Sequence, residues 1–222
     1  MTPAEVLTGL LRTDQTSPRI TYYDDATGER IELSGKVLAN WVFKAANLLQ
    51  EELEAGPGTT IGIQLPPDHW RTFYWALGAW SVGAQLVTTG ESGLDVHIGS
   101  TPDDTATDQI IVTLPALARR AAVEVPSGAI DEARELATYG DMFVPYRNTP
   151  VDGPALDDAS YADLICTGGQ SQRRVRVTGE LADALKEALA VWADDGSVLL
   201  LRNVRPEDVE RRLDTEAVTR RS

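Results

Sequence analysis

The chain has 222 residues, 42% of them hydrophobic, enough for a sizeable core in one large α/β domain or two small ones. Its formal net charge is -14, from 34 acidic and 20 basic residues, so the average surface repels DNA, RNA and anionic membranes, and no nucleic-acid or membrane partner is expected. Cys166 is the only cysteine, which excludes an intramolecular disulfide and a cysteine-based zinc site. No apolar run approaches the roughly 20 residues of a membrane span, and a soluble, cytoplasmic protein is expected.

The first element is a helix over "PAEVLTGLLR", residues 3–12, where Val6, Leu7, Leu10 and Leu11 fall at helical spacing behind Pro3. "RITYYDDATGERIEL" places two β-rich runs around "DDATG", whose Asp and Gly suit a turn, and predicts a hairpin. Ser34 is a cap for the next helix, with Val37, Leu38, Trp41, Val42, Ala45, Leu48, Leu49 and Leu53 on one stripe up to the Gly/Pro stop "EAGPG". "TTIGIQLP" reads as a buried strand. "PDHWRTFYWALGAWSVGA" reads as a helix begun by Pro67 and Asp68, with His69 on its surface and an aromatic cluster of Trp70, Phe73, Tyr74, Trp75 and Trp80. Trp75 lies off the main stripe, so this helix is apolar on more than one side. "QLVTTG" follows as a strand, giving the order of a parallel crossover.

"LDVHIGS" and "DQIIVTLP" predict more strands of the same sheet, and "ALARRAAV" and "IDEARELATYG" predict helices on its faces. Residues 146–160, rich in Pro and Asp, read as a long surface connection. Beyond it stand the strand-like run opening "LICTGGQSQRR", the alternation "RRVRVT", the helix "GELADALKEALAVWADD", the strand "SVLLLRNV" and a polar helix with a tail. The expected architecture is α/β, a mixed, largely parallel sheet with helices on both faces, in a single domain spanning 1–222. Within it, 1–145 form a first lobe, 161–205 a strand–turn–strand–helix segment and 206–222 a polar end.

Thr167, Gly168, Gly169 and Ser171, followed by Arg173 and Arg174, have the chemistry of a phosphate-holding loop, because exposed backbone N–H groups and a cation suit an anion. Gln170 and Gln172, however, bring side chains where a loop closing on a pyrophosphate wants glycine. An inherited strand-to-strand turn accounts for the same residues. Cys166 reads as a packed thiol at a strand end. His69 and His97 do not fit a metal site, and the acidic pairs Asp103–Asp104, Asp157–Asp158 and Asp194–Asp195 read as capping and solvated groups.

The order "ITYYDDATGERIELSGKVLANWVFKAANLLQEEL", "GTTIGIQLPPD", "WRTFYWALGAWSVGAQLV" resembles the start of the adenylate-forming, or AMP-binding, superfamily of acyl-CoA synthetases, luciferases and adenylation domains. "YADLICTGGQSQRRVRVTGELADAL" is similar to that family's phosphate loop, "YTSGTTGxPKGVxLTHxNL". "TGG" falls on the Ser/Thr-Gly-Thr region, and the loop lysine falls on Arg173 or Arg174. Lysine, the second glycine and the proline are all replaced.

The resemblance covers only the first part of a family member, as in short actinobacterial relatives. It implies a chain without the later motifs for adenine and ribose or the C-terminal catalytic lysine. It therefore implies a catalytically inactive binding or accessory protein with Thr167, Gly168, Gly169, Ser171, Arg173 and Arg174 as a remnant site. No cofactor follows from it beyond a residual capacity for ATP, AMP or phosphate. Two alternatives stand beside it: the N-terminal half of a ligase completed by a partner chain, and a structural homodimer or protein partner met through apolar surface.

Overall fold

The computed structural model describes residues 1–88, 93–166, 168 and 172–219. The chain divides into two compact units, each discontinuous in sequence: Met1–Ala39, Pro67–Trp70 and Ile165–Ser222 in the first, Asn40–Pro66 and Arg71–Leu164 in the second. Among the described residues no helix is long and apolar enough to cross a membrane, and no group of side chains has a metal-holding arrangement.

In the first unit, helix α1 (Pro3–Thr13) starts at a capping box: the Thr2 hydroxyl accepts from the Glu5 N–H, and the Thr2 N–H donates to the Glu5 carboxylate at 2.7 Å. Strands β1 (Pro18–Asp24) and β2 (Glu29–Ser34) pair antiparallel as the predicted hairpin. Ser34 accepts from the Val37 N–H at 3.3 Å as helix α2 (Gly35–Glu52) begins. The hairpin does not join the main sheet. It belongs to a separate four-stranded sheet with β10 (Arg174–Arg176) and β11 (Ser197–Arg202), in the order β10-β11-β1-β2. β11 lies parallel to both its neighbours. Helix α5 (Leu181–Ala193) packs with α1, with Leu185, Leu189 and Trp192 of the one and Val6, Leu7 and Leu10 of the other all buried, and the Trp192 indole N–H donates to the Arg19 carbonyl at 3.0 Å.

Arg19 organises this unit. Only 3% exposed, it donates to the Asp195 and Gly196 carbonyls at 2.6 and 3.1 Å and pairs with the Asp195 carboxylate at 2.6 Å. Burial works to raise the Asp195 carboxyl, but hydrogen bonds from Thr13 and Gln172 and the Arg19 charge hold it below the ordinary carboxylate value. Gly196 passes so close to the neighbouring chain that a Cβ there would lie 2.5 Å from the Arg173 carbonyl oxygen and 2.7 Å from a Val191 methyl.

The second unit holds a seven-stranded sheet, order β7-β6-β5-β3-β4-β8-β9, parallel except at its last pair. Its strands are β3 (Thr60–Gln64), β4 (Gln85–Val87), β5 (Val96–Gly99), β6 (Asp108–Ile111), β7 (Ile130–Asp131), β8 (Pro154–Leu156) and β9 (Ala159–Ser160). β3 and β4 are joined by helix α3 (Trp70–Val82), the predicted crossover. Trp75 is as buried as Phe73 and Trp80, so α3 is covered on every side rather than leaving an apolar face. Gly78 lets α3 approach α2, since a Cβ would stand 2.9 Å from that of Ala45.

Four expectations change. "ALARRAAV" forms no helix, because Arg71 ties down the Leu114 and Pro115 carbonyls and Asp131 captures the Ala121 N–H at 2.9 Å. "IDEARELATYG" divides into β7, helix α4 (Glu132–Glu135) and a 3-10 turn. The 146–160 connection contains β8 and β9. His69 is 1% exposed and lies edge-on to Tyr22, with ring centroids 4.8 Å apart. α3 begins only at Trp70, so the His69 side chain belongs to the turn before it.

A strap, residues 137–147, runs along α2 without pairing into a sheet. Lys44 donates to the Ala137 and Tyr139 carbonyls, Asn47 to those of Gly140 and Met142, and Gln50 to that of Val144. Gln50 also accepts the Tyr146 N–H at 2.8 Å.

Gly196→Ala should lower stability by about 1–3 kcal/mol, read as a reduced Tm; an unchanged Tm would mean the Arg173–Gly196 approach is not tight. Asp195 titrates lower in the folded than in the unfolded chain. Its stabilisation is therefore complete above roughly pH 4 and fades as pH falls through the folded value. Asp195→Asn should lower stability at pH 7 and flatten the acid side of a urea-measured stability profile. An acid limb as steep as that of the unsubstituted chain contradicts this.

Candidate functional site

The predicted loop leads into β10 in the first unit. Thr167, Gly169, Gln170 and Ser171 lie outside the described residues. Gly168 is exposed with φ +115°, and a Cβ there would meet nothing within 4 Å, so glycine serves conformation at this point rather than space. Gln172 takes a left-handed φ of +58°. Its N–H donates to the Asp194 carbonyl at 2.9 Å and its side-chain amide to Asp195 at 3.3 Å, which fastens this residue to the turn closed by Arg19.

The run leading to the loop is not a strand. Residues 160–163 form a turn in which the Ser160 hydroxyl donates to the Asp163 carboxylate and accepts the Asp163 N–H. Cys166 is exposed, not packed. Leu164 alone of "LIC" is buried.

The two arginines part company. Arg174 donates to the Thr21 hydroxyl and pairs with Glu216 at 3.0 Å. Arg173 is half-buried, its Nε lacks a hydrogen bond, and it makes no ion pair with a described residue. Beside Arg174 is a cavity of about 310 Å³ lined by Asp14, Arg19, Gln172, Arg174 and Asp195, among others. Hydrogen bonds from Ser17 and then Thr16 hold the Asp14 carboxyl well below its usual range, so Asp14 and Asp195 both stay ionised near neutrality. The cavity wall therefore carries two carboxylates beside two guanidinium groups, each of which already has an acidic partner, Asp195 for Arg19 and Glu216 for Arg174.

The second unit carries a cationic surface that the sequence reading missed. Arg119, Arg120 and Arg134 are exposed around an open concavity of about 710 Å³ at the carboxyl ends of β6 and β7, and none of the three pairs with a described residue. Its acidic wall residue, Asp131, spends its carboxylate on the Ala121 and Ala133 N–H groups. Adjacent arginines without neighbouring acids in a chain of charge -14 were the available signal, hidden by the helical periodicity of "ALARRAAV". His97 is buried, its Nε2 2.9 Å from the Thr101 carbonyl. Of the acidic pairs, Asp103 accepts from the Thr105 N–H in a local turn, Asp157 accepts from the Thr88 N–H far away in sequence, and Asp195 pairs with Arg19.

No protein-family model matches the chain. Among solved structures, the N-terminal domain of FACL13 from Mycobacterium tuberculosis superposes with a TM-score of 0.74 at 12% identity, covering 98% of this chain and 61% of that one. Brucella canis acyl-CoA synthetase gives 0.73 at 12% identity, over 99% of this chain and 46% of its own. Coronafacic acid ligase from Pectobacterium brasiliense gives 0.67 at 13%, over 97% and 48%. The chain thus has the fold of the N-terminal part of such synthetases and ligases, and spans about half the length of the latter two. A TIGR03089 family protein of Mycobacterium tuberculosis (strain ATCC 25618 / H37Rv) is 38% identical over 240 residues, covering 97% of this chain and 95% of that protein. This chain belongs to the TIGR03089 family.

Proposed function

We propose that this chain binds a phosphate-bearing small molecule, of nucleotide or acyl-phosphate type, and does not by itself carry out adenylation. The observation that carries this reading is the commitment of Arg174. Of the two arginines on which the lysine of the resembled loop can fall, Arg174 is held by Glu216 and Thr21. Arg173 remains as the loop's cation without an ion-pair partner among the described residues, and arginine's planar fork suits phosphate oxygens. The cationic concavity around Arg119, Arg120 and Arg134 is a second place where an anion would be favoured.

A second reading, in which the chain supplies the N-terminal half of an acyl-CoA synthetase or ligase acting with a partner chain, is favoured by the match of nearly its whole length to about half of such enzymes. ATP–pyrophosphate exchange separates the two. The chain alone should show none, and exchange appearing with a partner chain would replace the first reading by the second.

Calorimetric titration with ATP, AMP and pyrophosphate should give weak binding, with Kd in the range of roughly 0.1–1 mM. Arg173→Gln should weaken it at least about fivefold. If Arg120→Gln weakens binding and Arg173→Gln does not, the ligand sits in the second unit. No heat with any of the three ligands at millimolar concentration removes the binding function.

A further inference from the structure

In the second unit, helix α2 ends on acid. Glu51, Glu52 and Glu54 are exposed where the helix gives out, its last turn holds no basic residue, and none of the three makes an ion pair with a described residue. Carboxylates at a helix C-terminus meet the negative end of the macrodipole as well as one another, which costs stability until a cation is brought to them. Glu51 and Glu54 share the wall of a concavity of about 520 Å³ with Tyr146 and Arg147. Arg147 does not neutralise them: its guanidinium folds against Gly56 and donates to the Glu54 backbone carbonyl at 3.3 Å.

The strap adds an apolar strip to this rim. The carbonyls of Met142 and Val144 and the N–H of Tyr146 are taken by α2, and these three residues, spaced two apart, leave their side chains 83%, 77% and 75% exposed. Exposed apolar side chains grouped beside a charged rim have the composition of a contact surface, in which Met and Tyr are enriched. The cationic concavity has the same build with the opposite charge. Arg119, Arg120 and Arg134 stand around it without an ion pair to a described residue, and the same segment exposes Leu117, at 92%, and Val123. A foreign partner of one charge would match one of these patches, whereas a second copy of this chain matches both.

We propose that the two patches are the two halves of one self-association surface, in which Arg119, Arg120 and Arg134 of one copy dock on Glu51, Glu52 and Glu54 of another while the exposed apolar side chains of both close over the contact. The contact goes beyond the phosphate reading: it requires no small ligand and engages no residue of the 166–174 loop. The net charge of -14 on each copy opposes approach, so the association is weak. At about 0.15 M salt that repulsion is screened beyond roughly 8 Å, while pairs in contact keep most of their attraction.

The test follows sedimentation of the full chain at that salt, up to roughly 0.5 mM protein, with two charge-reversed variants. One carries Arg119→Glu and Arg120→Glu, the other Glu51→Arg and Glu54→Arg. All four side chains are exposed, and unchanged thermal melts of the variants check that each folds. The mass of the unsubstituted chain should rise above that of one copy with concentration. Each variant should associate at least about tenfold more weakly, because reversal sets like charges against each other. An equimolar mixture of the two variants should restore association, since unlike variants again place opposite charges at the contact. A chain that sediments as one copy throughout, variants that associate as the unsubstituted chain does, or a mixture that stays dissociated overturns the surface. Any of these leaves the phosphate reading to its own calorimetric test.

Discussion

The first unit depends on one buried guanidinium. Arg19 leaves β1 and reaches the turn between α5 and β11, where two carbonyls and the Asp195 carboxylate receive it, while the Asp14 carbonyl beyond α1 lies 3.3 Å away. A carbonyl-rich turn buried against a sheet would otherwise leave acceptors without donors, at a cost comparable to several lost hydrogen bonds. Because Asp195 also takes Gln172, the same arginine sets where β10 begins. Gly196 then allows the Arg173 carbonyl to reach the Ser197 N–H at 3.0 Å. The geometry at the foot of the candidate loop is thus inherited from a residue more than a hundred positions earlier in the chain.

The second unit solves a similar problem with Arg71. It pairs with Glu132 at 2.8 Å, donates to the Tyr74 hydroxyl at 3.1 Å, and holds the Pro115 carbonyl. Burial raises the Tyr74 hydroxyl's pKa, with Glu132 adding to the effect, so the phenol stays protonated as a donor. The segment carrying Arg119 and Arg120 is irregular but fixed at both ends, by Arg71 and by Asp131. In each unit a buried arginine secures non-repeating backbone beside a sheet. Each of those backbones leads to cations that have no ion pair among the described residues.

Elements whose apolar residues repeat over several turns were legible in the sequence: α1, α2, α3 and α5 stand where their stripes put them, and the "DDATG" turn closes the hairpin. Strands β8 and β9, of three and two residues, are too short to show alternation, and they fall in a stretch whose Pro and Asp speak for a loop. "ALARRAAV" has helical spacing, but the Leu114 and Pro115 carbonyls just before it go to Arg71 and its Ala121 N–H goes to Asp131. The candidate site was legible as chemistry and not as arrangement. Arginines after a Gly-Gly turn announce an anion, whereas the choice of Arg174 by Glu216 depends on a long-range docking that no local pattern encodes.

The strap along α2 has a consequence for what counts as a surface position. Lys44, Asn47 and Gln50 recur at the spacing of a helix's solvent face, yet together they serve as the neighbouring strand that residues 137–147 lack. A strand offers both donors and acceptors, and of these three only Gln50 does both, giving its amide N–H to Val144 and its oxygen to Tyr146. A carboxylate of the same length could accept but not donate, and an ammonium could donate but not accept. Position 50 is therefore reserved for an amide by the backbone it faces, though nothing about its place on the helix would suggest it.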